Sequence, residues 1–267
     1  MSTSPSERRP QAQVRSFDVR VLRQDGPGRP SYWERHRVEH EPDMNCISVL
    51  QKIAERATTL DGRAVAPVAW ECNCLEEVCG ACTMIINGRV RQACTALVDQ
   101  LLAERPGEIE LRPMSKFPVI RDLVVDRSPL DRIIQAGGFI SVATGSPQDA
   151  NALPISKPDA DESMDAAACI GCGACVAACP NASVSLFTAA KISHLGLLPQ
   201  GQPERYRRAL SMVAQMDLEG FGGCTLFGEC MAACPKGISI DFIKRMNGDY
   251  IWGAVTERPE KVSLGSG

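Results

Sequence analysis

The first regular pattern in the chain is an alternation of apolar and polar residues near the N-terminus. Phe17, Val19 and Val21 alternate with charged residues, which predicts a half-buried strand that ends near Leu22. A second strand is predicted over residues 32–38. The chain therefore begins with a pair of strands.

Three more elements are predicted before residue 115. Residues 47–57 carry apolar side chains at helical spacing and predict one amphipathic helix. The dipeptide Asn87-Gly88 between two apolar stretches predicts a tight hairpin, and Ile109 and Leu111 predict a closing strand. These elements surround a cysteine-rich loop, so we expect a small mixed sheet packed on one helix.

The second half of the chain is predicted to be helical. Helices are predicted over residues 184–194, 203–216 and 227–233. The acidic, proline-bearing stretch 151–162 predicts irregular backbone instead. We expect an α+β protein with the following divisions: a disordered tail over residues 1–15, a mixed domain over 16–115, a connector over 116–160 and a helical domain over 161–267.

Composition limits the function classes that fit the chain. It has 267 residues and a net charge of about −3 with both signs mixed throughout, which does not indicate a nucleic-acid partner. The thirteen cysteines are an odd number, and most lie at short spacings, which favours metal in a reducing compartment over disulfides. No run approaches 18 apolar residues, so we expect any membrane association to come through a partner.

Four cysteines have the spacing of a plant-type two-iron cluster. Cys74, Cys79 and Cys82 form C-x4-C-x2-C, and Cys94 is the distant fourth ligand. One loop supplies three ligands, and Gly80 between two of them permits close approach of the backbone to the bridging sulfides. Zinc is the alternative, although zinc sites favour paired C-x2-C knuckles.

Two further cysteines lie near this motif. Cys72 is an alternative first ligand, but the C-x4-C spacing favours Cys74. We expect Cys46 and Cys72 to be buried, inert thiols, as free cysteines usually are. The charged stretch that contains His36 and His40 is expected to be solvated surface.

Residues 169–180 contain the C-x2-C-x2-C-x3-C-P run of a bacterial ferredoxin, and an altered copy ends at Cys234-Pro235. In such a pair the fourth cysteine of each run ligates the cluster of the other run. That rule gives one complete four-iron site and one three-cysteine site, with Phe227 at the position of the missing ligand. The four-iron site takes Cys169, Cys172, Cys175 and Cys234, and the other takes Cys179, Cys224 and Cys230.

The three-cysteine site predicts a three-iron cluster, because a corner iron without its thiolate tends to be lost. Fewer negative thiolates also raise the potential of such a cluster, which suits the end of an electron-transfer chain. The alternative is a four-iron cluster with a non-protein ligand. The sequence contains no glycine-rich dinucleotide loop, phosphate loop or nucleophile–base pair, so we expect single-electron transfer.

Together the three motifs resemble the iron–sulfur subunit of succinate dehydrogenase and fumarate reductase, the complex II family. Residues 121–126 also look like the interdomain segment of that family. The resemblance covers roughly residues 16–240. It implies a plant-ferredoxin-like β-grasp domain with a 2Fe-2S cluster, followed by an all-helical bacterial-ferredoxin-like domain with 4Fe-4S and 3Fe-4S clusters.

The resemblance also implies partners and a location. A flavoprotein subunit would oxidise succinate on FAD, and electrons would pass through the three clusters to a quinone at a cytochrome b-type membrane anchor. The chain would lie peripherally on the cytoplasmic face of the bacterial inner membrane. Pro180 and Thr225 adjoin three-iron ligands and are candidate quinone contacts. His194 is a third candidate, with a structural or surface role as the alternative.

Two departures from the family concern the quinone. Many members carry a tryptophan soon after the Cys179 position and a histidine after the Cys224 position, whereas this chain has Thr225 at the latter. Residues 73–79 look more like the menaquinone-using bacterial branch. The alternatives are a fumarate reductase working in the reverse direction, a thiol-dependent fumarate reductase subunit, and a soluble multi-cluster carrier.

Overall fold

The computed structural model describes residues 15–142 and 155–257. Within these ranges, a mixed sheet with one long helix is followed by a helical region, so the α+β prediction is confirmed. The predicted tail lies outside the described residues, apart from Arg15.

A five-stranded sheet forms the N-terminal region, with strand order β2-β1-β5-β3-β4. β1 pairs parallel with β5, and the other neighbours are antiparallel. Both predicted N-terminal strands and the predicted closing strand are confirmed. The strands are β1 (Ser16–Arg23), β2 (Tyr32–Glu39), β3 (Thr83–Ile86), β4 (Arg89–Gln92) and β5 (Glu108–Arg112).

Helix α1 (Cys46–Arg56) packs on this sheet and confirms the predicted helix. The side chain of Asn45 accepts a hydrogen bond from the Ser48 amide and caps its first turn. The inward residues of β1 and α1 share one apolar core with Leu123. Burial of these alternating apolar side chains stabilises the sheet.

The predicted hairpin joins β3 to β4 through Asn87 and Gly88, whose φ angles are 48° and 80°. Two left-handed residues define the type I′ turn that matches the twist of paired strands, so the prediction is confirmed. A second helix, α2 (Val98–Glu104), has no counterpart among the predicted elements.

The predicted connector contains regular structure. It forms a two-stranded hairpin of β6 (Val119–Arg121) and β7 (Val124–Val125), followed by α3 (Ser128–Gln135). Leu123 joins the N-terminal core, whereas Val125 joins the core of the helical region. The connector therefore belongs to both cores.

The helical region also differs in places from the prediction. Helix α4 covers residues predicted to be irregular, so that prediction is wrong for 157–162, while residues 151–154 lie outside the described residues. Ser156 caps α4, and Pro158 occupies its first turn, where proline is tolerated. The helices are α4 (Lys157–Ala167), α5 (Ala174–Ala178), α6 (Ser185–Leu197), α7 (Arg205–Leu218), α8 (Glu229–Ala232) and α9 (Asp241–Thr256).

The helix predicted over residues 203–216 begins at Arg205 instead. Pro203 lies in a preceding 3₁₀ helix (Pro199–Glu204). The helix predicted over 227–233 is confirmed only as the shorter α8. No helix in the described ranges is both long and apolar enough to cross a membrane.

A buried charged network ties the connector to the first sheet. Arg23 donates to Asp122 through Nε at 3.0 Å and Nη2 at 2.9 Å, and to Glu34 through Nη1 at 2.8 Å. The ring of His36 lies between the carboxylate of Glu34 and the carbonyl of Thr58. The prediction that His36 is solvated is wrong, because these non-local partners bury it.

Candidate iron–sulfur centres

The loop that contains Cys74 is built from left-handed backbone. Leu75, Glu77 and Gly80 have φ angles of 60°, 57° and 71°. Left-handed residues alternating with ordinary ones turn successive amide groups toward one concave side, a geometry that favours anions. The loop is therefore shaped for a negatively charged group.

Three of these amides converge on one sulfur. The backbone N–H groups of Glu76, Val78 and Cys79 donate to Cys74 Sγ, with N···S distances of 3.4, 3.3 and 3.3 Å. These hydrogen bonds lower the pKa of Cys74 to about 7, because they favour the thiolate. A thiolate is the form that binds iron.

Cys82 and Cys94 lie deeper, at the start of β3 and just beyond β4. Burial raises the pKa of Cys94 to about 11, with a further contribution from its neighbours Cys82 and Cys74. Asn45 donates to the carbonyl of Cys94 at 2.9 Å and fixes that turn. Ala81 N–H donates to Cys79 Sγ at 3.4 Å. The fold thus brings the four predicted cysteines to one loop and the turn beside it.

The two other cysteines of this region behave differently from each other. Cys46 is buried in α1, and desolvation raises its pKa to about 12, as expected for an inert thiol. Cys72 is exposed, so the prediction that it is buried is wrong. It precedes the turn that curls the amides toward Cys74.

The helical region contains a cleft lined by the four cysteines predicted to share a site. Its other walls include Gly171, Leu186, Phe187 and Ile238, so the sulfurs face an apolar surround. Burial raises the pKa of Cys172 to about 11 and raises those of Cys169 and Cys175. The cysteines that line the cleft are Cys169, Cys172, Cys175 and Cys234.

A second cleft is lined by Cys179, Cys224 and Cys230. Phe227 lies on its wall with 67% of its surface exposed, and the lining residues include no fourth thiol. Burial raises the pKa of Cys230, with Cys179 and Cys224 adding to the effect as neighbouring thiols. Sulfur donors around a concave space fit a cluster in both clefts, four in one and three in the other.

The three candidate quinone contacts do not lie together: two line the three-cysteine cleft, and His194 lies elsewhere. Pro180 and Thr225 line the three-cysteine cleft, and Asn181 Nδ2 donates to Thr225 Oγ1 at 2.8 Å. His194 lies in the last turn of α6, whereas Ser185 at the start of that helix lines the cleft. Nine residues of helix separate them by about 13 Å at 1.5 Å per residue. Burial lowers the pKa of His194.

Two residues that bond to the cysteine loops could not be identified from the sequence. Lys191 Nζ donates to the carbonyl of Cys169 at 2.6 Å, and Arg127 Nη1 donates to the carbonyl of Gly80 at 2.8 Å. Both contacts are non-local, and neither residue lies in a motif. Only the folded chain brings these cations to the loops.

Two family models match the chain. Residues 18–132 match a model described as a 2Fe-2S iron-sulfur cluster binding domain, and residues 168–238 match a 4Fe-4S dicluster domain. With the fold and the cysteine sites above, these matches define an iron–sulfur electron-transfer protein with a ferredoxin-like domain at each end.

Two curated relatives show which family within this class the chain belongs to. The chain is 37% identical to the succinate dehydrogenase iron-sulfur subunit of Bacillus subtilis, over 82% of this chain and 86% of that protein. It is 31% identical to the fumarate reductase iron-sulfur subunit of Mycobacterium tuberculosis, over 62% of this chain and 67% of the relative. The chain belongs to the family of iron–sulfur subunits of succinate dehydrogenase and fumarate reductase.

A solved structure has a similar fold. A chain of the Mycobacterium smegmatis Sdh1 complex in the apo form superposes with a TM-score of 0.57, at 18% identity. The match covers 92% of this chain and 99% of the other. At that identity the likeness supports the fold alone.

Proposed function

We propose that this chain is the electron-transfer subunit of a membrane-bound succinate:quinone oxidoreductase. It would take electrons from FAD on a flavoprotein partner and deliver them to menaquinone or another quinone at a membrane-anchor subunit. The single observation that carries the proposal is the grouping of eleven cysteines as four, four and three at three sites. Family membership supplies the subunit role.

We assign each site one cluster. Cys74, Cys79, Cys82 and Cys94 hold a 2Fe-2S cluster, and the four-cysteine cleft that contains Cys234 holds a 4Fe-4S cluster. The cleft with Phe227 on its wall holds a 3Fe-4S cluster. When bound, these clusters supply centres that accept and release one electron at a time.

The protein tunes each site through its surroundings. Three amides donate to Cys74, and hydrogen bonds to cluster sulfurs are one means by which proteins set cluster potentials. The three-cysteine cleft has one thiolate fewer, so less negative charge opposes an added electron. This difference supports a higher potential at the 3Fe-4S site and a place at the quinone end of the chain.

Exposed apolar side chains lie where the proposed partners would bind. Leu75 and Val78 are exposed on the Cys74 loop, which suits a flavoprotein contact. Leu226 and Phe227 are exposed at the three-cysteine cleft, which suits the membrane anchor and the quinone near Pro180. The anchor would hold the chain at the cytoplasmic face of the inner membrane.

The decisive experiment uses the complex purified anaerobically with its partners. We expect succinate to reduce the 2Fe-2S and 3Fe-4S centres, as followed by electron paramagnetic resonance, and quinone to reoxidise them. A preparation without iron, or one that binds only zinc, would refute the proposal. Comparing succinate oxidation with fumarate reduction then gives the working direction, and a chain that leaves the membrane fraction alone would indicate a soluble carrier.

The cluster assignment has its own test in Phe227→Cys. The new thiol completes a fourth ligand position, so we expect the 3Fe-4S signal of the oxidised enzyme to decrease as the site takes up a fourth iron. Phe139→Cys is the matched control, because it adds a thiol at another exposed phenylalanine outside the cleft. An unchanged 3Fe-4S signal in the Phe227 variant contradicts the assignment.

A further inference from the structure

The two cysteine loops of different domains touch at one backbone position. A Cβ atom added to Gly80 would lie 2.7 Å from Cβ and 2.9 Å from Cα of Cys172. Real Cβ atoms essentially never make contacts shorter than 3.0 Å, so only a hydrogen atom fits there. Gly80 lies between Cys79 and Cys82, and Cys172 is the second cysteine of the run that begins at Cys169.

An arginine from the connector is hydrogen-bonded to the Gly80 side of this contact. Arg127 Nη1 donates to the carbonyl of Gly80 at 2.8 Å, and Nη2 donates to Glu71 Oε2 at 3.2 Å. The Gly80 carbonyl also accepts a bond from Thr83 Oγ1 at 2.7 Å. Arg127 follows β7, so its backbone belongs to neither cysteine loop.

The cleft beside this contact is also lined by a second cation, Lys191 of helix α6. Arg127 and Lys191 both line it, together with Cys79 and Gly171. Lys191 donates to the carbonyl of Cys169, so each cysteine loop has a backbone carbonyl held by a cation. Glu71 and Asp131 on the same walls balance part of this charge, which favours a positioning role over a purely electrostatic one.

We propose that Arg127 is a positioning residue that holds Gly80 against Cys172, and that this contact is where electrons cross between the two domains. The inference rests on the proposed function above. In each crossing one electron would move from a cluster held by the Cys74 loop, which would be oxidised by one electron, to a cluster held by Cys172, which would be reduced by one. No bond forms or breaks in this step. A reduced flavin supplies the electron, and a quinone removes it.

The geometry explains why the residue is an arginine. A planar guanidinium forms two directed hydrogen bonds at once, whereas a lysine ammonium is a single point charge on a flexible stem. Arg127→Lys therefore keeps the charge but does not hold both Gly80 and Glu71. Arg127→Gln removes the charge as well.

The experiment compares variants in the assembled complex. Two paramagnetic centres speed each other's spin relaxation according to their separation, so relaxation of the 2Fe-2S signal reports the spacing. We expect Arg127→Gln to lose part of the enhancement seen when a strong reductant also reduces the 4Fe-4S centre, and to slow reduction of the later centres. Arg127→Lys should restore part of both. Arg132→Gln, in helix α3, which begins directly after Arg127, but bonded to Glu219, should change neither.

Two glycine-to-alanine variants distinguish the effect of the Gly80–Cys172 contact from the effect of backbone strain. Gly80→Ala places a methyl group against Cys172, whereas Gly62→Ala has a similar φ of +82° and no atom within 4 Å. We expect only the former to reduce the relaxation enhancement. If Gly80→Ala does not assemble, hydrogen exchange of residues 79–83 in the Arg127→Gln complex should still be faster than in wild type.

The outcomes distinguish the two proposals. A wild-type complex without 2Fe-2S and 4Fe-4S signals would refute the proposed function and this inference with it. A wild-type complex with both signals, and an Arg127→Gln complex with unchanged relaxation, electron-transfer rate and loop exchange, would refute the inference alone.

Discussion

Removing the buried carboxylate of Asp122 should destabilise the N-terminal domain. Its oxygens accept two bonds from Arg23, one from the Ala69 amide at 2.8 Å and one from the Gln24 amide at 3.2 Å. Asp122→Ala leaves Arg23 buried with Glu34 as its remaining carboxylate partner, and it leaves two amides without this acceptor.

The magnitude follows from the burial of both partners. Arg23 is 2% exposed and Asp122 is 0% exposed. Burial opposes the charge of Arg23, but the hydrogen bonds and charges of Asp122 and Glu34 outweigh it and raise the pKa of the guanidinium. Breaking such a buried pair by removing one partner costs about 3–5 kcal/mol. That is a large share of a domain stability of about 5–15 kcal/mol.

The assay follows unfolding and cluster retention in the same samples. Ala69 leads into the Cys74 loop, so we expect Asp122→Ala to lose the 2Fe-2S signal at lower urea than the 4Fe-4S and 3Fe-4S signals. The control is Asp99→Ala, which removes a carboxylate that is 66% exposed and paired with His40. Exposed pairs contribute about 0–1 kcal/mol, so this variant should stay near wild type.

Equal stability of the Asp122 and Asp99 variants would refute the reasoning. So would simultaneous loss of all three cluster signals from Asp122→Ala. Asp122→Asn gives an internal check, because it keeps the size and one acceptor oxygen of the side chain. It should fall between wild type and the alanine variant.

Three further outcomes are expected. Arg132 hydrogen bonds hold the pKa of Glu219 below its ordinary value of 4.5, so the pair stabilises the folded chain above about pH 4.5 and loses this effect as the pH falls through the folded pKa. Glu219→Gln should therefore lower the melting temperature more at about pH 7 than at about pH 4, and equal losses would contradict this. In the cluster-loaded chain, alkylation followed by mass spectrometry should modify exposed Cys72 and leave Cys46 intact, because the pKa of Cys46 is raised to about 12; comparable labelling would argue against it. Cys234→Ser should remove the 4Fe-4S signal first, and earlier loss of the 3Fe-4S signal would count against the ligand assignment.

The sequence predicted those parts of the fold that depend on neighbours along the chain. Alternation in β1 and the Asn87-Gly88 turn are local signals, and both predictions are confirmed. Helix α4 was missed because proline and acidic residues suggested a loop, although Ser156 is a good cap. His36 was placed at the surface because its neighbours are charged. Its burial depends on Glu34 and Arg23, whose pairing only the sheet creates.

Spacing predicted which cysteines share a site, and in the helical region those cysteines line two clefts. The two ferredoxin runs predicted the exchange of the fourth cysteine between sites, and Cys234 and Cys169 line one cleft. The contact of Gly80 with Cys172 and the hydrogen bond from Arg127 could not be predicted in this way. They join segments separated by 92 and 47 residues in sequence, and no periodic pattern records such distances.

The left-handed loop around Cys74 has a consequence for the rate of electron transfer at a centre bound there. Water molecules around an ion must reorient when the charge of that ion changes. The amides fixed by the φ angles of Leu75 and Glu77 already point toward the sulfur of Cys74. An extra electron at this loop would therefore find its compensating dipoles in place. Little rearrangement would accompany each arrival or departure of an electron, so the left-handed backbone of this loop would favour rapid transfer at this site.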